Sequence, residues 1–578
     1  SITFTRSNCK QRYEFLHIID IMSKKLEYLL LTIVLLLGIF FRFYDLKNTP
    51  PGLYPDEAMN GSNALETIEN TRFSSENGFV FGGKIFYPEN NGREGLFINI
   101  QALAVRIFGN EPWALRGVSA LFGSLTVLGV YLLTKELFHM TPVIFRTALP
   151  SSLIALFSAF FLATSYWHVN FSRIGFRAIM VPFFLSFGFY WLFKAFRTRK
   201  ITAALCAGIF IGLGFHTYIA FRLVPLILAA VLSYKVLIWR KKRDSETKGC
   251  APCITLFILL VIFVIALPIG WYFLNNRANF TGRGGQVSIF SAENPSYEFA
   301  RSTMLSLGMF NVRGDCNERH NFNCQPELYW PVGIFFIIGL ILTLIGLLQK
   351  GSETKEQSLF LCASFIAMML PAVLTREGLP HALRGIGMLI PVMIMSGTGV
   401  TWIWKLADEY LSASARNPEH ANRTSQIQRI RKEFLFLFFL VLTFVALNLL
   451  DMYHFRFANS KDAYLGFSAN LTNIGRFMKT LPADTSKYVI VNGGGDTVRE
   501  IPISGQPIMF LTGTFTEKTR REKNTHYILE NELFLIPIER PLFIIPINTT
   551  KDLIGKIKER FPAISPTIPG DFAVFEAR

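Results

Sequence analysis

The chain has 578 residues, 51% of them hydrophobic and only 17% charged, with a formal net charge of +17. A soluble protein of this length would carry about 25% charged residues spread over several domains, and the 56 Phe, 18 Tyr and 8 Trp exclude a disordered chain. A mean hydropathy of +0.34 and a pI near 9.5 leave nucleic acid or a membrane as the reason for the positive charge, and its placement favours the membrane.

In chain order, Met22-Ser23-Lys24-Lys25 stands just before the first apolar run while the chain opens on Ser1. Residues 1–21 are therefore expected to be a translated upstream stretch, and residues 1–26 a cytoplasmic segment. Eleven apolar runs follow, at 27–44, 113–133, 148–168, 178–194, 201–219, 223–239, 253–274, 330–349, 358–375, 385–405 and 433–450. Each is long enough to cross about 30 Å of hydrocarbon as a helix. The first lacks a small-residue cleavage site and ends in Phe41-Arg42-Phe43-Tyr44-Asp45, which predicts an uncleaved helix.

Basic clusters at Lys24/Lys25, Lys194 to Lys200, Arg240-Lys241-Lys242-Arg243, Lys350/Lys355 and the 405–432 loop with Arg429, Arg431 and Lys432 fall on one side of this weave. The positive-inside rule makes that side the cytoplasm. The other side receives a loop at 45–112, a second at 275–329 and the tail 451–578. The external stretches 169–177, 220–222, 275–329 and 376–384 hold ten Arg and no Lys. Arg suits bidentate phosphate recognition, although it also anchors to lipid headgroups.

The first loop carries Pro50-Pro51-Gly52-Leu53-Tyr54-Pro55-Asp56-Glu57-Ala58, extended and then helical from Asp56 through Glu69. Adjacent acids at a helix start also complement the dipole, so a capping role competes with chemistry. Asn90-Asn91-Gly92-Arg93-Glu94-Gly95 precedes an amphipathic stretch to Phe108 suited to the membrane interface. Among the seven Cys, Cys250-Ala251-Pro252-Cys253 lacks a second pair or nearby His, so neither a zinc nor a redox site is expected there. An oxidising compartment would allow Cys316 and Cys324 to form a disulfide closing a short loop, or they stay free.

At these residues the chain resembles the multi-spanning GT-C glycosyltransferases, specifically glycosyltransferase family 39, the bacterial relatives of protein O-mannosyltransferases and lipid A aminoarabinose transferases. The resemblance spans about 27–450 and rests on the Asp56-Glu57 pair, Gly92-Arg93-Glu94, Trp113-Ala114-Leu115-Arg116, Phe171-Ser172-Arg173-Ile174-Gly175-Phe176-Arg177 and His216-Thr217-Tyr218-Ile219-Ala220-Phe221-Arg222. It continues with Gly314-Asp315-Cys316-Asn317-Glu318-Arg319-His320-Asn321 and Pro380-His381-Ala382-Leu383-Arg384. Gly95, where many relatives carry Pro, and the Cys316/Cys324 pair depart from the pattern.

The resemblance implies a polytopic α-helical GT-C domain at 27–450. Such enzymes move a sugar from a polyprenyl-phosphate carrier to a hydroxyl acceptor with inversion, at the outer face of a bacterial plasma membrane. A glycosidase protonates its leaving group with a second carboxyl, whereas a phosphate with a second pKa of about 6 leaves as an anion and asks for positive charge. Asp56 is then expected as general base, with Glu57 supporting it and Glu94 binding acceptor or capping. Arg93, Arg173, Arg177, Arg222, His381 and Arg384 are the phosphate candidates, Tyr218 a sugar or phosphate contact, and Arg319-His320 a gate. No metal-ligand spacing stands out, so no metal or cofactor is expected; membrane lipids, donor and acceptor are the expected partners, and nucleic acid is not.

In the tail, strand-like runs at 488–491, 507–511, 542–545 and 572–575 alternate with a helical stretch at 552–561, which predicts a small extracytoplasmic α/β domain at 451–578. Asn492-Gly493-Gly494-Gly495-Asp496 lacks GxGxxG spacing and reads as a turn. Two other functions stay open: a transferase or polymerase using a pyrophosphate-linked oligosaccharide, and a lipid or glycan transporter. The second is disfavoured by largely apolar helix centres and the lack of internal repeats.

Overall fold

The computed structural model describes residues 23–74, 78–139, 143–144, 147–241, 250–349, 352–416, 424–539, 541–562 and 564–577. Residues 1–21 and the basic residues Lys242, Arg243 and Lys350 lie outside them. The helices that matter here are α1 (Lys24–Phe43), α2 (Pro55–Asn70), α3 (Gly95–Phe108), α4 (Pro112–Leu137), α5 (Ser151–Ala163), α6 (Tyr166–Ser172), α7 (Met180–Thr198) and α8 (Ile201–Gly214). They continue with α9 (Val224–Lys241), α10 (Ala251–Asn275), α11 (Trp330–Leu348), α12 (Ser352–Val373), α13 (Leu389–Arg416) and α14 (Thr424–Leu449).

All eleven apolar runs are helical, but not all span. Among the described residues nine helices are long and apolar enough to cross a membrane, or ten if the bent pair α5 and α6 counts as one. Run 201–219 falls short because α8 stops after 14 residues, about 21 Å of rise. His216 and Thr217 leave the helix: Thr217 Oγ1 donates to Gly214 O at 2.5 Å, and the His216 ring lies 2.9 Å from Ile265 O. The expected 405–432 loop is shortened from both sides by α13 and α14.

Run 148–168 is not straight. α5 and α6 meet at 59°, and the break at Thr164-Ser165 leaves Leu162 O with a long 3.4 Å contact from the Ser165 N–H and Ala163 O without a backbone partner in the turn. Arg42 supplies them, its Nη2 donating to Leu162 O at 3.1 Å and its Nη1 to Ala163 O at 3.2 Å. An unpaired carbonyl at membrane depth costs several kcal/mol, which accounts for a buried arginine at the end of α1. At the basic end of the bundle, ion pairs Arg197–Glu136 at 2.5 Å and Lys235–Glu356 at 2.6 Å join α7 to α4 and α9 to α12.

The tail departs from expectation in two places. α14 runs on as a helix through Leu450–Phe457, past the expected boundary at 451. Residues 507–511, expected as a strand, form α16 (Gln506–Thr512), which follows α15 (Ala469–Met478). Pro507 sits in the first turn, where its missing N–H costs nothing, and Gly513 at φ 63° ends the helix.

Beyond them, β3 (Ser486–Ile490), β4 (Thr525–Ile528), β5 (Leu542–Pro546), β6 (Pro566–Thr567) and β7 (Val574–Ala577) form one sheet in the order β4-β3-β5-β7-β6, with α17 (Lys551–Arg560) against one face. β4, β3 and β5 are parallel, and β7 returns antiparallel. Strand β4 has no counterpart in the sequence reading. α16 packs on α2: Ser62 Oγ donates to Gln506 Oε1 at 2.9 Å, and a Cβ at Gly61 would come within 2.5 Å of the Phe510 ring. The tail thus fixes the helix that begins with the Asp56-Glu57 pair.

Candidate active site

Pro55 starts α2, and both acids fall in its first turn. They face different surroundings. Glu57 is fully buried, held by Arg116 Nε and Nη2 at 3.0 Å each, by the Gly175 N–H at 2.6 Å and by the Tyr54 N–H at 3.2 Å. Arg116 also donates to Pro50 O at 2.8 Å and to Gly52 O. This pair bolts the extended segment before α2 to the start of α4 and fixes the backbone on either side of Asp56.

Asp56 is half-buried and accepts a hydrogen bond from Asn90 Nδ2 at 2.7 Å. Asn90 comes from the turn between β1 (Phe86–Tyr87) and β2 (Arg93–Glu94), where Asn90, Asn91 and Gly92 have φ of 50°, 64° and 79°, the left-handed region that Asn and Gly tolerate. Arg93, buried on β2, donates to Asn60 Oδ1 at 2.6 Å and Asn63 Oδ1 at 2.5 Å on α2. Burial, and then the charge of Arg177, bring its guanidinium down to about 10, while Asp56 and Glu89 pull the other way.

Glu94, also buried, collects two of the expected phosphate ligands. Arg177 Nε lies 2.8 Å from its Oε2 and Arg222 Nη2 3.4 Å from its Oε1. The Tyr218 ring lies 5.3 Å from the Arg177 guanidinium, and Phe273 and Phe280 flank Arg222 at 4.7 and 4.6 Å. Arg173 has a different task from the one expected: buried, it donates to Phe41 O, Arg42 O and Thr49 O at 3.1, 3.0 and 2.9 Å. Its fork closes the end of α1 instead of facing a ligand.

His320, His381 and Arg384 form a second group. Asp315 Oδ2 lies 2.7 Å from His320 Nδ1, 3.9 Å from His381 Nδ1 and 2.8 Å from the Ala382 N–H. Arg384 donates to Thr375 Oγ1 at 2.7 Å and Glu377 O at 2.9 Å. Between the two groups stands Arg319, over the Tyr54 ring at 4.1 Å, brought down to about 10 by burial. Among the described residues neither Arg93 nor Arg319 has a carboxylate within ion-pair distance. A desolvated cation without a counter-charge is costly, and an anion placed beside it relieves that cost.

Sequence reasoning passed over Arg116, Asp315, Asn60, Asn63 and Asn90 as site residues, although Arg116 and Asp315 stand inside quoted motifs. It also passed over Arg499, which pairs with Glu66 at 3.0 Å and Glu89 at 3.0 Å while Asn91 Nδ2 donates to Asp496 at 2.5 Å. The tail therefore grips the hairpin that holds Asp56. Arg499→Ala is expected to change stability by less than about 1 kcal/mol, since the pair is surface-exposed. It should speed proteolysis of the 82–93 hairpin and slow turnover by about tenfold or less through misplacement of Asn90; unaltered proteolysis would show that the grip is idle.

The structure joins Cys316 to Cys324, one of the two outcomes left open, and also Cys250 to Cys253, for which the sequence reading gave no bond. Residues three apart at a helix start can bring two sulfurs together.

Residues 96–272 match the profile of the family described as dolichyl-phosphate-mannose-protein mannosyltransferase. No curated protein matches the sequence. Among solved structures, ArnT from Cupriavidus metallidurans bound to undecaprenyl phosphate aligns at TM-score 0.50 and 14% identity over 96% of this chain and 98% of its own. The Archaeoglobus fulgidus oligosaccharyltransferase tethered to an acceptor peptide aligns at TM-score 0.46 and 14% identity over 85% of this chain and 63% of its own.

Proposed function

We propose that this chain is a membrane glycosyltransferase of the GT-C type that transfers one sugar from a polyprenyl-phosphate carrier to a hydroxyl acceptor, with inversion, at the extracytoplasmic face. The observation that carries the reading is a half-buried carboxylate, Asp56, whose charge acts on the desolvated Arg93, with a second desolvated arginine, Arg319, over the ring of Tyr54 two residues before it; among the described residues neither arginine has a carboxylate within ion-pair distance. Asp56 takes the proton of the acceptor hydroxyl as its oxygen attacks the anomeric carbon. The bond from that carbon to the phosphate oxygen breaks, its electron pair stays on the phosphate, and the arginines hold the resulting charge.

Arg177 and Arg222, half-neutralised by Glu94, extend the positive field toward the mouth of a groove between α9 and α10. Phe215, Leu228, Leu232, Val236, Leu259 and Ile262 line it, a surface suited to a polyprenyl tail. That ArnT, similar in fold, was crystallised with undecaprenyl phosphate supports this class of carrier. The acceptor is left at the level of a hydroxyl on protein, lipid or glycan.

The test is reconstitution in proteoliposomes with two donor panels, polyprenyl-monophosphate sugars and pyrophosphate-linked oligosaccharides. Turnover with the first panel alone, giving product of inverted anomeric configuration, is expected. Turnover only with the second would replace the reading with an oligosaccharide transferase. Arg319→Ala should weaken donor binding about 10- to 100-fold, the loss of one charge-assisted contact, with the melting temperature held. Unchanged donor affinity in that variant would remove Arg319 from the phosphate seat.

A further inference from the structure

We propose that Asp315, His320 and His381 form a binding site for a single transition-metal dication of the zinc class. One ligand atom from each lies within 4.8 Å of the other two. Asp315 and His320 come from the second long loop and His381 from the loop before α13, so their sequence spacing gave no hint of a shared site.

The dimensions fit. Zinc bonds of about 2.0–2.1 Å in tetrahedral array set neighbouring ligand atoms about 3.3 Å apart; from Asp315 Oδ2 the imidazoles stand at 2.7 Å, a hydrogen bond, and 3.9 Å, so an ion would part the first pair and draw in the second by about 0.6 Å each. Two imidazole nitrogens and one carboxylate oxygen are a donor set for zinc rather than for calcium or magnesium. Binding would remove the proton that His320 Nδ1 shares with Asp315 and displace the long 3.4 Å contact of the Arg384 N–H with His381 Nδ1. Three protein ligands leave a fourth position for water or an oxyanion.

The loop is built to hold these groups still. Cys316 and Cys324 are bridged, the Asn317 N–H donates to Asp315 Oδ1 at 2.8 Å, and buried Glu327 accepts the Asp315 N–H at 3.0 Å. Trp167 Nε1 donates to Ala382 O at 3.1 Å, fixing the residue after His381. Ligands fixed this way need little reorganisation on binding. The rings of His320 and His381 face each other with centroids 4.9 Å apart, and His381 keeps 14% of its side chain accessible, which leaves a path for an ion.

The experiment strips the purified full-length protein with a chelator, adds Zn²⁺ alone, removes excess, and measures metal content and melting temperature. Wild type should hold about one ion per chain and melt higher with it. His381→Ala and Asp315→Asn should lose the ion, and each should melt at the same temperature with and without zinc, whatever its own zinc-free melting temperature. Metal retained in either variant, or its absence from wild type, would overturn the proposal. Should the variants not fold, Co²⁺ loaded into wild type must give the intense visible spectrum of a tetrahedral site; a weak octahedral spectrum also overturns it.

Discussion

Arg116→Ala is expected to destabilise the protein by about 3–5 kcal/mol, because it leaves Glu57 charged and buried without its partner. Both side chains are 1% exposed or less, and two backbone carbonyls, Pro50 O and Gly52 O, lose their donor in the same step. Glu57→Gln should cost less, since an amide keeps one acceptor for the Gly175 N–H and the Arg116 left without a counter-charge still donates to Pro50 O and Gly52 O. Combining Arg116→Ala with Glu57→Gln should cost less than the sum of the two single losses, the signature of a buried pair whose desolvation offsets most of its attraction. Thermal unfolding of the four proteins in one detergent measures this. Strict additivity of the two single losses would contradict the coupling.

Periodicity in the sequence was sufficient for the bundle. Every apolar run is a helix because apolar length is a one-dimensional property that the membrane reads directly. It failed where a polar residue distant in sequence changes what a run can do: Arg42 makes the break between α5 and α6 affordable, and α8 is too short to span once His216 and Thr217 leave it. In the tail, Pro507-Ile508-Met509-Phe510-Leu511 has the composition of a buried strand, and the helix is set by Pro507 in its first turn, Gly513 at its end and packing against Gly61 of α2.

The candidate site was legible as motifs and illegible as partnerships. Asp56, Arg93, Glu94, Arg177, Tyr218 and Arg222 converge as their order suggested. Arg173 looked equivalent to Arg177, yet four residues decide that one closes the end of α1 and the other meets Glu94. Glu57 and Asp56 are neighbours in sequence with opposite fates, because a helix turns successive side chains by about 100°. Asp315 went unnoticed as a ligand because one of its companions, His381, lies in another loop.

Asp56→Asn decides whether the chemistry is placed correctly. Asparagine keeps the size of the side chain and an oxygen able to accept from Asn90, but it cannot take a proton from the attacking hydroxyl. Removal of a general base costs about 10²–10⁴ in rate, and the hydrogen bonds that hold Arg93, in the proposed phosphate seat with Arg319, do not involve Asp56. The decisive measurement is single-turnover sugar transfer by Asp56→Asn in proteoliposomes, alongside donor affinity and melting temperature. The account predicts transfer slowed by at least about 10² with affinity and stability within error of wild type; transfer at the wild-type rate would contradict it.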